Sequence, residues 1–289
     1  MKKKIVIVGL GLIGGSLAMA LRGFEDYEVV GVVRRQATAD YAMAHGVGDA
    51  VTLDAEEALR QADVTFLCID PEDIIHYLAE HRDHFKPGSL VTDVCGIKGA
   101  VMAAARVLPE TVDFIGSHPM AGTEFSGIEH AQADMFQGAH YILTPRPNSG
   151  EEHLALLERL AHHIGCRDVV RTTPERHDDI IAYTSQMMHI IAVSVCDDRE
   201  LFECQGFEGS SFRGCTRVAD LDVELWTQLF SLNRRALTAA LDRLAENLDA
   251  YRAALRSGDD GLLREKLAHS AARKHQLDLG ARPASPYYV

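Results

Sequence analysis

A short apolar strand followed by a glycine-rich turn constrains the fold of this chain more than any other stretch. The residues from Ile5 to Val8 are all apolar and β-branched, which is typical of a strand buried on both faces of a parallel sheet. Gly9, Gly11 and Gly14 follow in the spacing G-x-G-x-x-G. After a buried strand this spacing predicts a dinucleotide-binding turn, in which the glycines allow a tight bend, approach of a pyrophosphate and close packing of the next helix. The alternative is a glycine-rich turn that binds nothing.

The helix after this turn supplies the rest of the predicted phosphate site. Its first residues, Leu12 and Ile13, lie at the positive end of the helix dipole, where free backbone N–H groups attract phosphate. A third buried strand is predicted from Val64 to Ile69. Asp70 follows it and is expected to reach the cofactor, because ligands of such sheets bind beyond the carboxyl ends of the strands.

The residues after the second predicted strand, Glu28 to Val33, bear on the choice of cofactor. An NAD site normally places an acidic residue there to bind the ribose hydroxyls, whereas this chain has Arg34 and Arg35. An arginine pair suits the 2′-phosphate of NADP. We therefore predict that NADP is preferred, with NAD possible. A solvated basic pair is the alternative.

Alternation of strands and helices predicts an α/β fold class. We expect a doubly wound, Rossmann-type parallel sheet in residues 1–173, with right-handed crossovers. Helical patterns dominate residues 174–279, which we predict to be an all-α substrate and dimerisation domain, and residues 280–289 are expected to form an irregular tail. Two domains agree with a chain of 289 residues.

Two long helices are predicted in the second part. The first begins at Thr173, a suitable N-cap before a proline, and runs to about Cys196. The second runs from about Asp222 to Arg256 with apolar residues every three or four positions, a length of about 50 Å. One small domain cannot cover such a helix, so we expect a homodimer in which a partner subunit shares its apolar face.

The formal net charge of -13 argues against nucleic acid or an anionic membrane as a partner. We find no apolar run of the length that a membrane span needs and no signal-peptide cleavage site, so a cytoplasmic location is expected. The six cysteines show no C-x-x-C pair or zinc spacing. His76, His81 and His84 have the neighbours of an exposed helix and loop, and no metal site is predicted.

His118 is the candidate catalytic residue. It follows a short predicted strand, Phe114 to Gly116, in a loop rich in glycine and serine. The unperturbed pKa of histidine, about 6.5, suits removal of a hydroxyl proton while hydride leaves the same carbon. Pro119 biases the backbone of His118 toward an extended conformation.

Several motifs together resemble the prephenate/arogenate dehydrogenase family of tyrosine biosynthesis. They are, in chain order, GLGLIGGS, SHPMAGTE, a helix that opens with RHDD and carries SQMMH, FRGCTRVADLDVELW and FSLNRRAL. The resemblance runs from about residue 4 to residue 250. It implies an oxidative decarboxylation, in which hydride moves from the ring carbon bearing the 4-hydroxyl to the nicotinamide while the ring carboxylate leaves as carbon dioxide.

The resemblance also implies roles for individual residues. His118 would bond the 4-hydroxyl and Arg217 would bind a substrate carboxylate, which a guanidinium can hold with two parallel bonds. Ser185 and His189 match the first and last positions of the family's S-H-L-P-H-like helical segment and lie four residues apart, on one face. The remaining substrate-binding positions that it implies are Thr123, Glu124 and Trp226.

Simpler interpretations exist for three of these residues. Arg217 could form a surface ion pair with Asp220 or Asp222. His189 could be a core histidine with satisfied hydrogen bonds, and Trp226 could serve helix packing alone.

The chain departs from the family pattern at three positions. Gly96 stands where the family commonly has a serine that bridges the catalytic histidine and the cofactor, so Cys95, Ser117 or water would have to orient His118. Gln186 replaces a frequent histidine, and Gly214 replaces a frequent acidic residue. Two other functions compete with the leading one: a β-hydroxyacid or imine reductase, and a dinucleotide-sensing protein without catalysis.

Overall fold

The computed structural model describes residues 2–123 and 125–279. Within them, eight strands form one sheet in the order β3-β2-β1-β4-β5-β6-β7-β8. The strands are β1 (Lys3–Val8), β2 (Tyr27–Val32), β3 (Ala50–Thr52), β4 (Val64–Leu67), β5 (Leu90–Asp93), β6 (Asp113–Pro119), β7 (His140–Thr144) and β8 (Asp168–Arg171).

Helices cover the sheet and continue beyond it. Those that alternate with the strands are α1 (Leu12–Ala20), α2 (Gln36–Ala44), α3 (Ala55–Gln61), α4 (Pro71–Glu80), α5 (Gly99–Ala104) and α6 (Glu151–His163). Those that follow the sheet are α7 (Pro174–Ile181), α8 (Met187–Cys196), α9 (Ser210–Thr216), α10 (Val223–Leu232), α11 (Arg234–Ser257) and α12 (Asp260–Asp278).

The predicted Rossmann-type fold with a helical second part is confirmed. Neighbouring strands are parallel except β6 and β7, which pair antiparallel. The strand order reverses between β1 and β4, which places a ligand crevice at the carboxyl ends of these strands. The short strand β3 was not predicted, because three residues give too little pattern to recognise.

The first strand shows why its sequence is continuously apolar. Ile5 and Ile7 pack into the core on one face of the sheet together with Leu17 of α1. Val6 packs on the other face with Leu59 of α3. Both faces are covered, so successive side chains are all buried.

The first long helix of the second part is continuous, and Thr173 caps it as predicted by accepting a hydrogen bond from the N–H of Arg176 at 3.2 Å. Between α7 and α8, the residues Ala182–Gln186 form a π-helical turn. Such a turn inserts one extra residue and is frequent at functional sites. It carries Ser185, one of the predicted site residues.

The prediction of a single helix from Asp222 to Arg256 is wrong. The chain breaks at Asn233, which separates α10 from α11. The Asn233 side chain is buried, and its Nδ2 donates to the carbonyl oxygen of Asp178 at 2.9 Å and to Oε1 of Gln186 at 2.8 Å. These tertiary hydrogen bonds determine the break, and the apolar repeat alone does not reveal them.

One helical stretch, Pro174–Cys196, is long and apolar enough by length and composition to cross a membrane. The expectation that no run reaches that length is therefore corrected. A single such helix is weak evidence for a membrane, since helices of soluble proteins meet the same criterion.

Candidate active site

The turn between β1 and α1 has the geometry expected of a pyrophosphate site. Gly9 has a φ of +89°, and a Cβ there would lie 2.6 Å from the carbonyl oxygen of Cys68. A Cβ at Gly14 would lie 1.9 Å from the carbonyl oxygen of Gly9, so α1 packs directly against the turn. A Cβ at Gly11 would meet nothing within 4 Å. The open space at Gly11 lies where α1 begins, at Leu12 and Ile13, and it fits a dinucleotide phosphate.

The predicted arginine pair lies at the carboxyl end of β2. Arg34 and Arg35 are both exposed, and Arg35 precedes the first turn of α2. The guanidinium of Arg34 lies 4.0 Å from the carboxylate of Asp73. Asp70 directly precedes α4; burial and the charges of Asp73 and Asp222 raise the pKa of its carboxyl group, while Arg34 opposes this. Arg34 and Asp70 therefore lie at the same edge of the sheet.

His118 lies in strand β6 and not in a loop, which corrects the prediction. The strand continues to Pro119 because β7 pairs with it antiparallel, with His118 opposite Ile142 and Pro119 opposite Tyr141. The preceding residue, Ser117, is fully buried. The strand therefore holds the backbone of His118 rigidly.

The orienting partner of His118 is His177, which the sequence analysis did not identify. Nδ1 of His118 lies 2.9 Å from Nε2 of His177. Ser117, one of the expected partners, directs its hydroxyl group to the carbonyl oxygen of Asp93 at 2.6 Å and to the Tyr141 hydroxyl at 2.9 Å. Cys95, the other, is buried, and burial raises the pKa of its thiol to about 12. The RHDD motif was the available signal, because it places a histidine and an acidic residue side by side at the start of α7.

Asp178 holds His177 in place and joins the helices to the sheet. Its Oδ1 lies 2.8 Å from Nδ1 of His177. The same carboxylate accepts hydrogen bonds from the backbone N–H of Lys98 at 2.7 Å and of Gly99 at 2.8 Å. The His177 side chain has no exposed surface.

A buried ion pair lies beside this group. The ammonium group of Lys98 contacts the carboxylate of Asp93 and donates to the carbonyl oxygen of Ser117 at 2.8 Å. All three residues are fully buried or nearly so. This pair could not be recognised from the sequence, because an isolated lysine after a strand carries no distinctive pattern.

The surroundings keep His118 neutral at physiological pH. Burial, and then the neighbouring His177 and Lys98, hold the pKa of His118 well below its usual 6.5. Burial also lowers the pKa of His177, although Asp178 opposes this. A neutral imidazole can accept a proton from a hydroxyl group.

A second group of predicted residues meets on α8, α10 and the turn after α9. The ring of His189 stacks on Trp226 with 3.6 Å between centroids. Its Nδ1 lies 3.0 Å from the carbonyl oxygen of Ser185. Burial lowers the pKa of His189, and the positive charge of Arg217 lowers it further. The exposed Arg217 lies in a 3₁₀ turn, Arg217–Ala219, that follows α9.

The positions where the chain departs from the family pattern are also defined. Gln186 is buried and donates to the carbonyl oxygen of Leu229 at 3.1 Å, so it helps to hold α10. A Cβ at Gly96 would meet only the Leu229 side chain, at 3.5 Å, so a larger residue would fit there. Gly214 has nothing near its would-be Cβ.

The loop after β6 is exposed. Thr123 accepts a hydrogen bond from the N–H of Phe125 at 3.3 Å, and Glu124 lies outside the described residues. Within residues 2–123 and 125–279, no group of three or more His, Cys, Asp or Glu side chains could hold a metal ion.

Two family models together match most of the chain. The model described as prephenate dehydrogenase, nucleotide-binding domain, matches residues 17–170, and the model described as prephenate dehydrogenase, dimerization domain, matches residues 173–269. The chain belongs to the prephenate dehydrogenase family. The resemblance identified from the sequence motifs is therefore confirmed.

Other members of the family are similar along nearly the whole chain. Cyclohexadienyl dehydrogenase of Zymomonas mobilis is 32% identical, over 93% of this chain and 94% of its own length. A solved structure of arogenate dehydrogenase from Synechocystis is 31% identical, with a TM-score of 0.82 over 95% of this chain and 99% of that one. A prephenate dehydrogenase from A. aeolicus, in complex with hydroxyphenyl propionate and NAD+, is 25% identical, with a TM-score of 0.85 over 96% and 99%.

The second and third glycines of the motif, Gly11 and Gly14, are expected to have different roles, in cofactor binding and in packing. Gly14→Ala should lower the free energy of unfolding by about 1–3 kcal/mol, because the new methyl group overlaps the Gly9 carbonyl. Gly11→Ala should change it by less than about 1 kcal/mol, yet weaken NAD(P) binding about 10-fold or more, because the methyl group fills the space for the pyrophosphate. Urea unfolding and fluorescence titration measure the two effects. Equal destabilisation by both, or unchanged cofactor affinity of Gly11→Ala, would contradict these roles.

Proposed function

We propose that this chain catalyses the oxidative decarboxylation of prephenate or arogenate with hydride transfer to NADP, giving 4-hydroxyphenylpyruvate or tyrosine. The single observation that supports it best is the position of His118, near the end of strand β6, with its Nδ1 within hydrogen-bond distance of His177. Burial and the neighbouring charges lower the pKa of His118, so its imidazole is neutral and can accept a proton. Family membership and the relatives named above, which include both a prephenate and an arogenate dehydrogenase, support the same reaction class.

The proposed role of His118 follows from the proton balance of the reaction. A bound nicotinamide would supply the acceptor for the hydride that leaves the ring carbon bearing the hydroxyl group. His118 accepts the hydroxyl proton as the C–O bond gains double-bond character. Loss of carbon dioxide then leaves its electron pair in the ring, which becomes aromatic, and His118 returns the proton to the phenolate oxygen. The histidine therefore begins and ends the cycle neutral.

The group of residues around His189 is proposed to bind the substrate. Arg217 would hold a carboxylate of the substrate, since a guanidinium matches a carboxylate with two parallel hydrogen bonds. Trp226 and the stacked His189 would form an aromatic wall, and Ser185 would fix the His189 ring through its carbonyl oxygen. Thr123, in the loop after β6, and Glu124, which lies outside the described residues, are proposed to bind the substrate side chain, as the sequence resemblance implies.

We propose NADP as the preferred cofactor, although the A. aeolicus structure contains NAD+. Two exposed guanidinium groups at the end of β2, Arg34 and Arg35, support this preference, because a 2′-phosphate placed there would meet them. A 2′-phosphate would compete with the carboxylate of Asp73, which lies 4.0 Å from the Arg34 guanidinium.

We propose that the protein forms a homodimer through its helical part. We also propose that it is cytoplasmic and has no nucleic-acid or membrane partner. An apolar groove of about 620 Å³ lies between α8 and α11. Its lining includes Ile190, Ile191, Leu241, Leu244 and Leu248. The groove belongs to the region that matches the family's dimerization domain, and a second copy is the occupant that this match favours.

The proposed reaction predicts separable defects in two variants. Purified protein with NADP and either prephenate or arogenate should give reduced cofactor, followed by its absorbance. His118→Asn should lower kcat by about 100-fold or more, whereas Arg217→Ala should mainly raise KM, by about 10-fold or more. Because the pKa of His118 lies below 6.5, kcat/KM should be constant above that pH and fall only on the acidic side.

Arg213→Ala is a matched control for Arg217→Ala, since Arg213 is exposed on the preceding helix, α9. It should leave KM within about twofold. Cofactor binding without turnover on either substrate would overturn the proposed function and favour a sensing protein. Unchanged kcat in His118→Asn would remove the mechanism.

The cofactor preference is tested at Arg34. Arg34→Ala should raise the Kd for NADP about 10-fold or more while leaving the Kd for NAD within about twofold, because only NADP carries the phosphate. Arg60→Ala removes another exposed arginine, paired with Glu56 on α3, and should change neither Kd. Equal weakening of both cofactors by Arg34→Ala would show that the residue does not recognise the phosphate.

The dimer is tested at Leu248, which is 58% exposed and lines the groove. Leu248→Glu should shift the protein toward the monomer, because a carboxylate buried in an apolar interface is costly. Size-exclusion chromatography with light scattering measures the mass. Val107→Glu, an exposed position beside the sheet, is the control and should leave the mass unchanged. A Leu248→Glu variant that keeps the mass of the unsubstituted protein would place the interface elsewhere.

A further inference from the structure

Three side chains form a continuous hydrogen-bonded line that ends at the candidate catalytic histidine. Asp178 Oδ1 lies 2.8 Å from Nδ1 of His177, and Nε2 of His177 lies 2.9 Å from Nδ1 of His118. The middle member, His177, has no exposed side-chain surface. A water molecule therefore cannot replace either hydrogen-bond partner of His177.

The donors and acceptors along this line can be assigned one after another. Asp178 accepts two backbone N–H groups, from Lys98 and Gly99, and these stabilise an ionised carboxylate. An ionised carboxylate can only accept, so Nδ1 of His177 carries its proton toward Asp178. A neutral His177 then has an unprotonated Nε2, which can only accept. Nδ1 of His118 must therefore be the donor.

This assignment fixes the remaining nitrogen of His118. A neutral imidazole carries one ring proton. With that proton on Nδ1, Nε2 of His118 has a free lone pair. The catalytic histidine is thus held in the tautomer that accepts a proton from a substrate hydroxyl group.

We infer that His177 and Asp178 are positioning residues that hold His118 as an Nε2 proton acceptor, in place of the loop hydroxyl that glycine at position 96 does not supply. The inference rests on the proposed function for the identity of the proton donor. It goes beyond that function in assigning the tautomer and the two residues that impose it. A similar arrangement of carboxylate and histidine sets the tautomer in serine proteases.

The charged groups around the line agree with this assignment. Lys98 faces both histidines from the segment after β5, and its positive charge lowers the pKa of each. Asp93, at the end of β5, and Asp178, on α7, act on His177 in the opposite direction. Burial is the largest effect on both rings and disfavours their charged forms. Both histidines are therefore neutral above pH 6.5, as the assignment requires.

Two substitutions of His177 distinguish positioning from mere packing. A glutamine carboxamide can donate to Asp178 through its N–H and accept from His118 through its oxygen, which reproduces the neutral imidazole; leucine can do neither. His177→Leu should lower kcat about 100-fold with KM and the NADP Kd within about threefold. His177→Gln should recover kcat to within about 10-fold of the unsubstituted protein.

The tautomer itself can be observed without substrate. Nitrogen-15 NMR of histidine-labelled protein should show His118 with a protonated Nδ1 and an unprotonated Nε2. His177→Gln should retain this pattern, and His177→Leu should show a mixture of tautomers. The His118 signals are assigned by their loss in His118→Asn.

His153→Gln is the control, because His153 also pairs with a carboxylate, Asp113 at 3.0 Å, at the opposite end of β6. It should leave kcat and the His118 signals unchanged.

Three results would each overturn the inference. They are a protonated Nε2 on His118 in the unsubstituted protein, a His177→Leu variant with unchanged kcat, and a His177→Gln variant with a kcat no higher than that of His177→Leu. If His177→Leu does not fold, the glutamine variant and the NMR assignment still decide it. Absence of turnover by the unsubstituted protein on both substrates would refute the proposed function alone, and the NMR result would stand.

Discussion

The carboxylate of Asp178 is the contact on which the relation between sheet and helices depends. The helix α5 has no capping side chain of its own, and Asp178 supplies the cap from α7 by accepting from the N–H groups of Lys98 and Gly99. A carboxylate at a helix N-terminus is favoured both by these hydrogen bonds and by the helix dipole. The same carboxylate binds His177. One side chain therefore fixes the docking of the helices and the line of hydrogen bonds that reaches His118.

The buried pair of Lys98 and Asp93 complements this contact from the sheet. Burying two charges is costly unless they are paired and their other hydrogen-bonding groups are satisfied. Here Lys98 also donates to the Ser117 carbonyl oxygen, and Asp93 also accepts from the backbone N–H of Cys95 and Ser117. The pair thus ties the end of β5 to the residue before His118. The ion pair thus fixes the backbone of β6 at Ser117, while Asp178 and His177 fix the orientation of the His118 ring.

The features that could be predicted from sequence are those that depend on neighbouring residues. The glycine turn after β1, the buried strands and the cap at Thr173 each follow from a local pattern, and the structure contains all three. The features that were missed depend on contacts between distant residues. His118 and His177 are 59 positions apart, and Asn233 breaks a helix because its side chain binds a carbonyl and an amide on another helix. The RHDD motif includes His177, but a motif does not show which residue this histidine contacts.

The residue that orients the His118 ring, His177, lies on α7 of the helical part. Nδ1 of His118 is occupied by a residue of the helical part, so the correct tautomer exists only while α7 is docked on the sheet. Position 96 has room for a side chain, with only Leu229 at 3.5 Å from a Cβ. The structure thus supplies a partner for Nδ1 of His118 from α7 and none from the side chain of residue 96, which is glycine. A side chain at position 96 is therefore not needed to hold the Nδ1 side of the ring, because His177 already occupies that nitrogen.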